Sequence, residues 1–143
     1  MTHHEHATGT FTIDLRPADG PDGPNDPEGL GRFEFDKEFH GDLVATSRGA
    51  MLSAGDPSTG SAGYVVVEIV EGRIGDREGR FALQHSGVMD AGEPTLVIAV
   101  VPGSGTGGFA GIRGDFELTV DEDGSHRYEL SYSVPPTDVV PPD

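Results

Sequence analysis

Apolar and polar residues alternate with a period of two along most of the chain, the spacing of strands that turn one face inward. Thr10 to Arg16 sets Phe11, Ile13 and Leu15 against Thr12 and Asp14, and Arg32 to His40 sets Phe33, Phe35, Lys37 and Phe39 against Glu34, Asp36, Glu38 and His40. Gly114 to Val120 keeps Phe116, Leu118 and Val120 in phase, and His126 to Val134 does the same with Tyr128, Leu130, Tyr132 and Val134. Asp42 to Ser53, Gly63 to Val70, Arg80 to Met89 and Thr95 to Val101 also have strand length and composition. The first of these follows Gly41 so directly that a bulge or tight turn is expected there. No stretch shows helical spacing behind a start cap.

Three connections, Glu71 to Gly79 (EGRIGDREG), Asp90 to Pro94 (DAGEP) and Asp121 to Ser125 (DEDGS), hold the Gly, Asp and Pro of tight turns. Successive strands are then antiparallel neighbours. Eight such strands predict an all-β fold, an eight-stranded antiparallel up-and-down barrel with a filled interior or room for one small ligand; a two-sheet sandwich is the alternative. The domain is expected over residues 7–134. Inside it, Pro17 to Gly31 (PADGPDGPNDPEGLG) reads as an acidic Pro/Gly-rich mobile loop, and residues 135–143 as an extended tail. His3 to His6 read as a flexible end. Thr95 to Val101, apolar on both faces, points to a partly covered outer surface and hence a homo-oligomer.

Composition narrows the classes of function. At 143 residues the chain suits one domain. Its 25 acidic against 9 basic residues, a formal charge of −16, would repel a phosphate backbone or an anionic membrane, so neither nucleic acid nor membrane is an expected partner. Cysteine is absent, the apolar runs are too short to span a bilayer, and the first residues lack a signal-peptide core, so a cytoplasmic location is expected.

Several motifs fall away on chemical grounds. Gly103 to Gly108 (GSGTGG) has dinucleotide-loop spacing but is followed by another strand and not by the helix that must hold a pyrophosphate. His3, His4, Glu5 and His6 sit on what reads as a loose end, where metal affinity is only adventitious. Asp121 to Gly124 is too short for a calcium loop, and no Ser stands in a G-x-S-x-G frame. Neither a metal nor a cofactor is expected.

What remains are polar residues in phase with apolar ones. Lys37, the only lysine, shares its face with Phe33, Phe35 and Phe39, and an inward ammonium is costly without a carboxylate or ligand. Glu68 alternates with Tyr64, Val66 and Val70, and His85 with Phe81, Leu83 and Met89. Lys37, Tyr64, Glu68 and His85 are therefore candidate ligand-binding residues of one interior, with Gln84 replacing His85 if a bulge shifts the phase. A buried ion pair that merely satisfies a core is the competing account.

Five blocks, ATGTF (Ala7 to Phe11), HGDL (His40 to Leu43), AGYVVVEIVEG (Ala62 to Gly72), GRFALQHSGVMDAG (Gly79 to Gly92) and VVPGSGTGGFAGIRG (Val100 to Gly114), occur in that order. With them the chain resembles an uncharacterised bacterial family, a domain of unknown function, in the allene oxide cyclase barrel-like superfamily. The resemblance implies an eight-stranded antiparallel barrel, and in wider relatives a cofactor-independent cyclisation of an apolar substrate inside it. No motif of those enzymes aligns here, so no catalytic residue is carried over; Asp14 to Ala18 (DLRPA) also lacks the Trp and acidic pair of many members. The expected activity is small-molecule binding, extending to a cyclase or isomerase. A non-catalytic carrier and a structural or partner-binding protein with a filled barrel are the alternatives.

Overall fold

The computed structural model describes residues 4–18 and 26–135, which form a closed eight-stranded antiparallel barrel and almost no helix. The strands are β1 (Glu5–Pro17), β2 (Leu30–Gly41), β3 (Leu43–Asp56), β4 (Ser61–Ile74), β5 (Arg77–Asp90), β6 (Glu93–Val100), β7 (Arg113–Val120) and β8 (His126–Ser133). They follow one another around the barrel, and β1 closes it against β8. The closed order excludes the sandwich, although β6 and β7 meet at the single pair Ala99–Asp115.

Several strands run longer than their alternation suggests. β1 begins at Glu5, so Glu5 and His6 are not a loose end: His6 pairs with Ser131 in the ladder and its ring lies 3.3 Å from Glu129. The next inward positions are the small Ala7 and Gly9, because a side chain at Gly9 would collide with the His40 carbonyl and the Tyr128 hydroxyl. Small residues hide the alternation from a hydrophobic count. Likewise Glu71 to Gly79 is mostly strand, with Gly72 paired to Gly79 and only Gly75 and Asp76 left to turn. The β5–β6 hairpin turns on Ala91 and Gly92, both with positive φ (50° and 85°), as a two-residue connection requires.

The ladder also enters the acidic segment. Pro17 pairs with Phe33, the Ala18 amide donates to the Arg32 carbonyl at 2.9 Å, and Asp26 accepts two hydrogen bonds from Arg32. The rest of that segment, residues 19–25, and the tail from residue 136 lie outside the described residues, as do residues 1–3.

The two ends of the barrel differ. At one, the β6–β7 connection folds over the opening and buries Phe109 and Ile112 completely, with Phe109 edge-on to Phe81 at 5.1 Å. Five hydrogen bonds fix this plug to β5: Val101 N to Ala82 O, Thr106 N to Arg80 O, Ala82 N to Ser104 Oγ, Arg80 N to Thr106 Oγ1, and the Arg77 guanidinium to Gly108 O. Gly103 and Gly107 take positive φ, so the glycine-rich run is a lid turn, and behind it stands only the three-residue 3-10 helix Gly107–Phe109. Beneath the plug, Phe39, Leu43, Phe81, Leu130 and Tyr128 fill the interior. At the other end, inward-facing Ile13, Leu15 and Leu96 remain 39–48% exposed, so the described residues leave the barrel open there.

Candidate functional site

The candidate site lies where the packed half of the interior meets the open half. Glu68 on β4 has no exposed surface, and three side chains converge on it. Lys37 Nζ from β2 donates to Oε2 at 2.9 Å, Ser47 Oγ from β3 donates to Oε1 at 2.7 Å, and His85 Nε2 from β5 lies 2.5 Å from Oε2. Register explains the convergence. Glu68 stands directly opposite Gly49 and Leu83, and its partners Ser47 and His85 lie two residues further along those strands, on the same face. Gly49 is required: a Cβ there would stand 2.5 Å from the Phe35 ring and 2.7 Å from Glu68 Cβ.

Burial is the largest influence on the Glu68 carboxyl and pushes it up. The His85 hydrogen bond, the charges of Lys37 and His85, and the Ser47 hydroxyl together outweigh it and hold the group below the usual carboxylate range. Glu68 is then ionised at neutral pH and only accepts, which puts the Nε2 hydrogen on His85. The second ring nitrogen, Nδ1, makes no hydrogen bond among the described residues, while no buried side-chain nitrogen or oxygen there lacks a partner. Nδ1 therefore faces open space.

That space is a cavity of about 150 Å³. Lys37 and His85 line it, Phe11, Phe35, Met51, Val66 and Leu118 wall it, Ile13 and Leu15 stand among its lining, and Tyr64 and His126 complete it. Lys37 Nζ also lies 4.9 Å from the Phe11 ring centre, 5.2 Å from that of Phe35 and 5.9 Å from that of Phe39, so aromatic faces offset part of its desolvation. His126 stacks on Phe11 at 5.0 Å. Tyr64 packs its ring against Gly87, and burial pushes its hydroxyl above the ordinary tyrosine value. Beside Tyr64 the open end continues into two further depressions of about 430 and 260 Å³. A larger groove of about 580 Å³ crosses the β6–β7 side, where polar Thr8, Thr10, Glu117, Arg127 and Glu129 share the lining with Leu96, Ile98, Phe116, Leu118 and Tyr128.

Of the residues expected from alternation, Lys37, Glu68 and His85 meet directly, and Tyr64 shares their cavity 4 residues along β4 from Glu68. Gln84 does not: it is exposed on the outer face, because β5 keeps its phase from Phe81 to Met89 without a bulge. Ser47, Gly49 and His126 escape a search for apolar neighbours, although Ser47 is in phase with Leu43 and Ala45, and His126 with Tyr128.

A family model described as a protein of unknown function, DUF3224, matches residues 7–132, a span that holds every residue of this cavity. The chain belongs to the DUF3224 family. A crystal structure of a protein of unknown function from the same family, from Shewanella oneidensis MR-1, is 39% identical to this DUF3224 chain, with a TM-score of 0.82. The alignment covers 94% of this chain and 100% of that one. No curated protein matches the chain. Among the described residues of this DUF3224 barrel, no helix is long and apolar enough to cross a membrane, and no three His, Asp or Glu side chains are grouped to hold a metal ion.

Proposed function

We propose that this barrel binds a small, largely apolar molecule at its open end, with Lys37, His85 and Tyr64 as its polar contacts and Glu68 as the anchor behind them. One observation carries the reading: beside the polar cluster the described strands leave an apolar cavity of about 150 Å³, at the end opposite the β6–β7 plug. A buried ion pair serving only to satisfy a core has no need of a cavity at its head. The reading extends to cofactor-independent cyclisation or isomerisation, as in the allene oxide cyclase-like barrels. Apolar walls would hold the substrate folded, and Lys37 and His85 would stabilise developing charge. Location in the cytoplasm belongs to the same proposal, and fractionation of host cells checks it.

Native mass spectrometry of protein purified from its own host tests the binding role. The expected result is a small-molecule adduct that is lost on unfolding and absent when Met51→Trp blocks the half-buried cavity wall. Bare protein in both samples would contradict it.

A second copy of the chain is the proposed partner. Val65, Val67 and Ile69 on β4, Val88 on β5 and Val97 on β6 point outward and are 47–58% exposed, on a surface almost free of charge. The acids of β2, β7 and β8, among them Asp36, Glu38, Glu117 and Glu129, lie around the rest of the barrel. Two strongly anionic copies meet with least repulsion through the valine face. Three strands about 4.8 Å apart and about eight residues long offer roughly 400 Å² per copy. Two such faces bury about 800 Å², the size of a weak, reversible contact. Sedimentation velocity should find dimers that Val67→Glu converts to monomers; a monomeric parent protein at tens of micromolar would overturn the pairing.

A further inference from the structure

The chain carries 25 acidic against 9 basic residues, yet among the described residues no side chain lining the cavity is acidic. The ionisable groups of that described lining are Lys37, His85, His126 and Tyr64, and the carboxylate bonded to the first two, Glu68, is fully buried. Such a bias does not arise from the composition. Glu68 accounts for Lys37 and His85 only in part, through one nitrogen contact with each, while His126 and Tyr64 join the lining with no hydrogen bond to it among the described residues.

The donors are arranged for an acceptor. Lys37 uses one of its three N–H groups on Glu68, and aromatic rings, which accept only weakly, surround the remaining ones. His85, held through Nε2, lines the cavity and has its other ring nitrogen available to a ligand there. Phe11 and Phe35, with Met51, Val66 and Leu118, leave the rest of the space apolar.

From this lining we infer that the ligand is a small monocarboxylic acid, its carboxylate on Lys37 and His85 and its apolar body toward Leu118, Met51 and the open end. The inference rests on the pocket reading above and adds the chemical class of the ligand. The overall negative charge acts against it only at long range, where salt screens it over about 8–10 Å; contacts inside the cavity are not screened in this way. The size of the cavity selects a short chain or a single ring, with any further length continuing beside Tyr64.

The test uses three probes of equal length, hexanoate, hexan-1-ol and hexylammonium, titrated into the full chain while the methyl resonances of Met51, Val66 and Leu118 are followed by NMR. Hexanoate should saturate these shifts at a concentration at least about tenfold below hexanol, and hexylammonium should not saturate them. His85→Gln should weaken hexanoate about tenfold and leave hexanol unchanged. His126→Leu, whose half-exposed site tolerates substitution, should weaken hexanoate by a smaller factor in the same direction. Hexanol binding as tightly as hexanoate would overturn the acid and leave the pocket standing. If none of the three probes saturates at these methyls, the acid and the pocket both fall.

Discussion

The two halves of the barrel interior are built from the same alternating strands and do opposite things. In the plugged half the large inward side chains are packed away: Phe39, Phe81, Phe109 and Leu130 are at most 1% exposed, Ile74 at the rim is partly buried, and Tyr128 ties the wall by accepting from the Leu43 amide at 2.9 Å and donating to the His40 carbonyl at 3.0 Å. In the open half, Ile13, Leu15 and Leu96 face inward at the same strand phase and stay wet. Inward direction therefore does not by itself make a core. A core needs something to close the end, and among the described residues the β6–β7 loop does so. Stability and access are separated along the barrel axis, with the Lys37–Glu68–His85 cluster at the boundary.

The sharpest contrast between the halves is mutational. Phe109→Ala removes a fully buried ring from the plug and should cost about 3–5 kcal/mol. Leu15→Ala, at a position 48% exposed in the open half, should cost about 1 kcal/mol or less. Urea unfolding measures both, and equal losses would erase the distinction.

Similar in size is the effect at the boundary. Lys37→Met or Glu68→Met alone strands a buried charge and should cost about 3–5 kcal/mol, while the two together should cost far less. A coupling below about 0.5 kcal/mol in this double-mutant cycle would mean that the two groups do not share one energy well. Tyr128→Phe, which deprives the Leu43 amide and the His40 carbonyl of their partner, should cost about 1–3 kcal/mol.

The smallest and most gradual effect is the response to acid. The folded state holds the Glu68 carboxyl below its ordinary value, so the unfolded chain takes up that proton more readily. Its contribution is complete above the ordinary carboxylate range and fades as pH falls through that range toward the lowered folded value. The urea midpoint should therefore drop below about pH 5, and drop less in the Lys37→Met/Glu68→Met variant. What persists there comes from exposed carboxyls such as Asp36 and Asp56, held low by Arg48 and by Ser58. Identical acid limbs in both proteins would show that Glu68 is not held as described.

The barrel was legible because its inward positions are aromatic or branched where packing is dense: Phe33, Phe35 and Phe39 expose Lys37 as out of place, and Val66 and Val70 do the same for Glu68. Legibility fails where the inward residue is small. Gly9 and Gly72 erase the alternation that would have extended β1 and β4, and Gly49, which makes room for the Glu68 side chain, carries no signal of its own. Ser47 reads as an ordinary polar residue until Glu68 stands beside it. The plug was illegible for another reason. Phe109 and Ile112 lie in a loop without periodicity, and only the closed barrel gives them an end to cover. Gln84 and His85 were distinguishable only by the continuous phase of β5.

The central claim is that the cluster at the boundary exists for recognition and not for stability. The Lys37→Met/Glu68→Met variant tests it most directly, with hexanoate and hexanol titrated against it and the parent chain under the same conditions. The account predicts a variant that unfolds within about 1–2 kcal/mol of the parent and reverses the preference, binding the alcohol in place of the acid. A variant that keeps the parent's preference for hexanoate would contradict it.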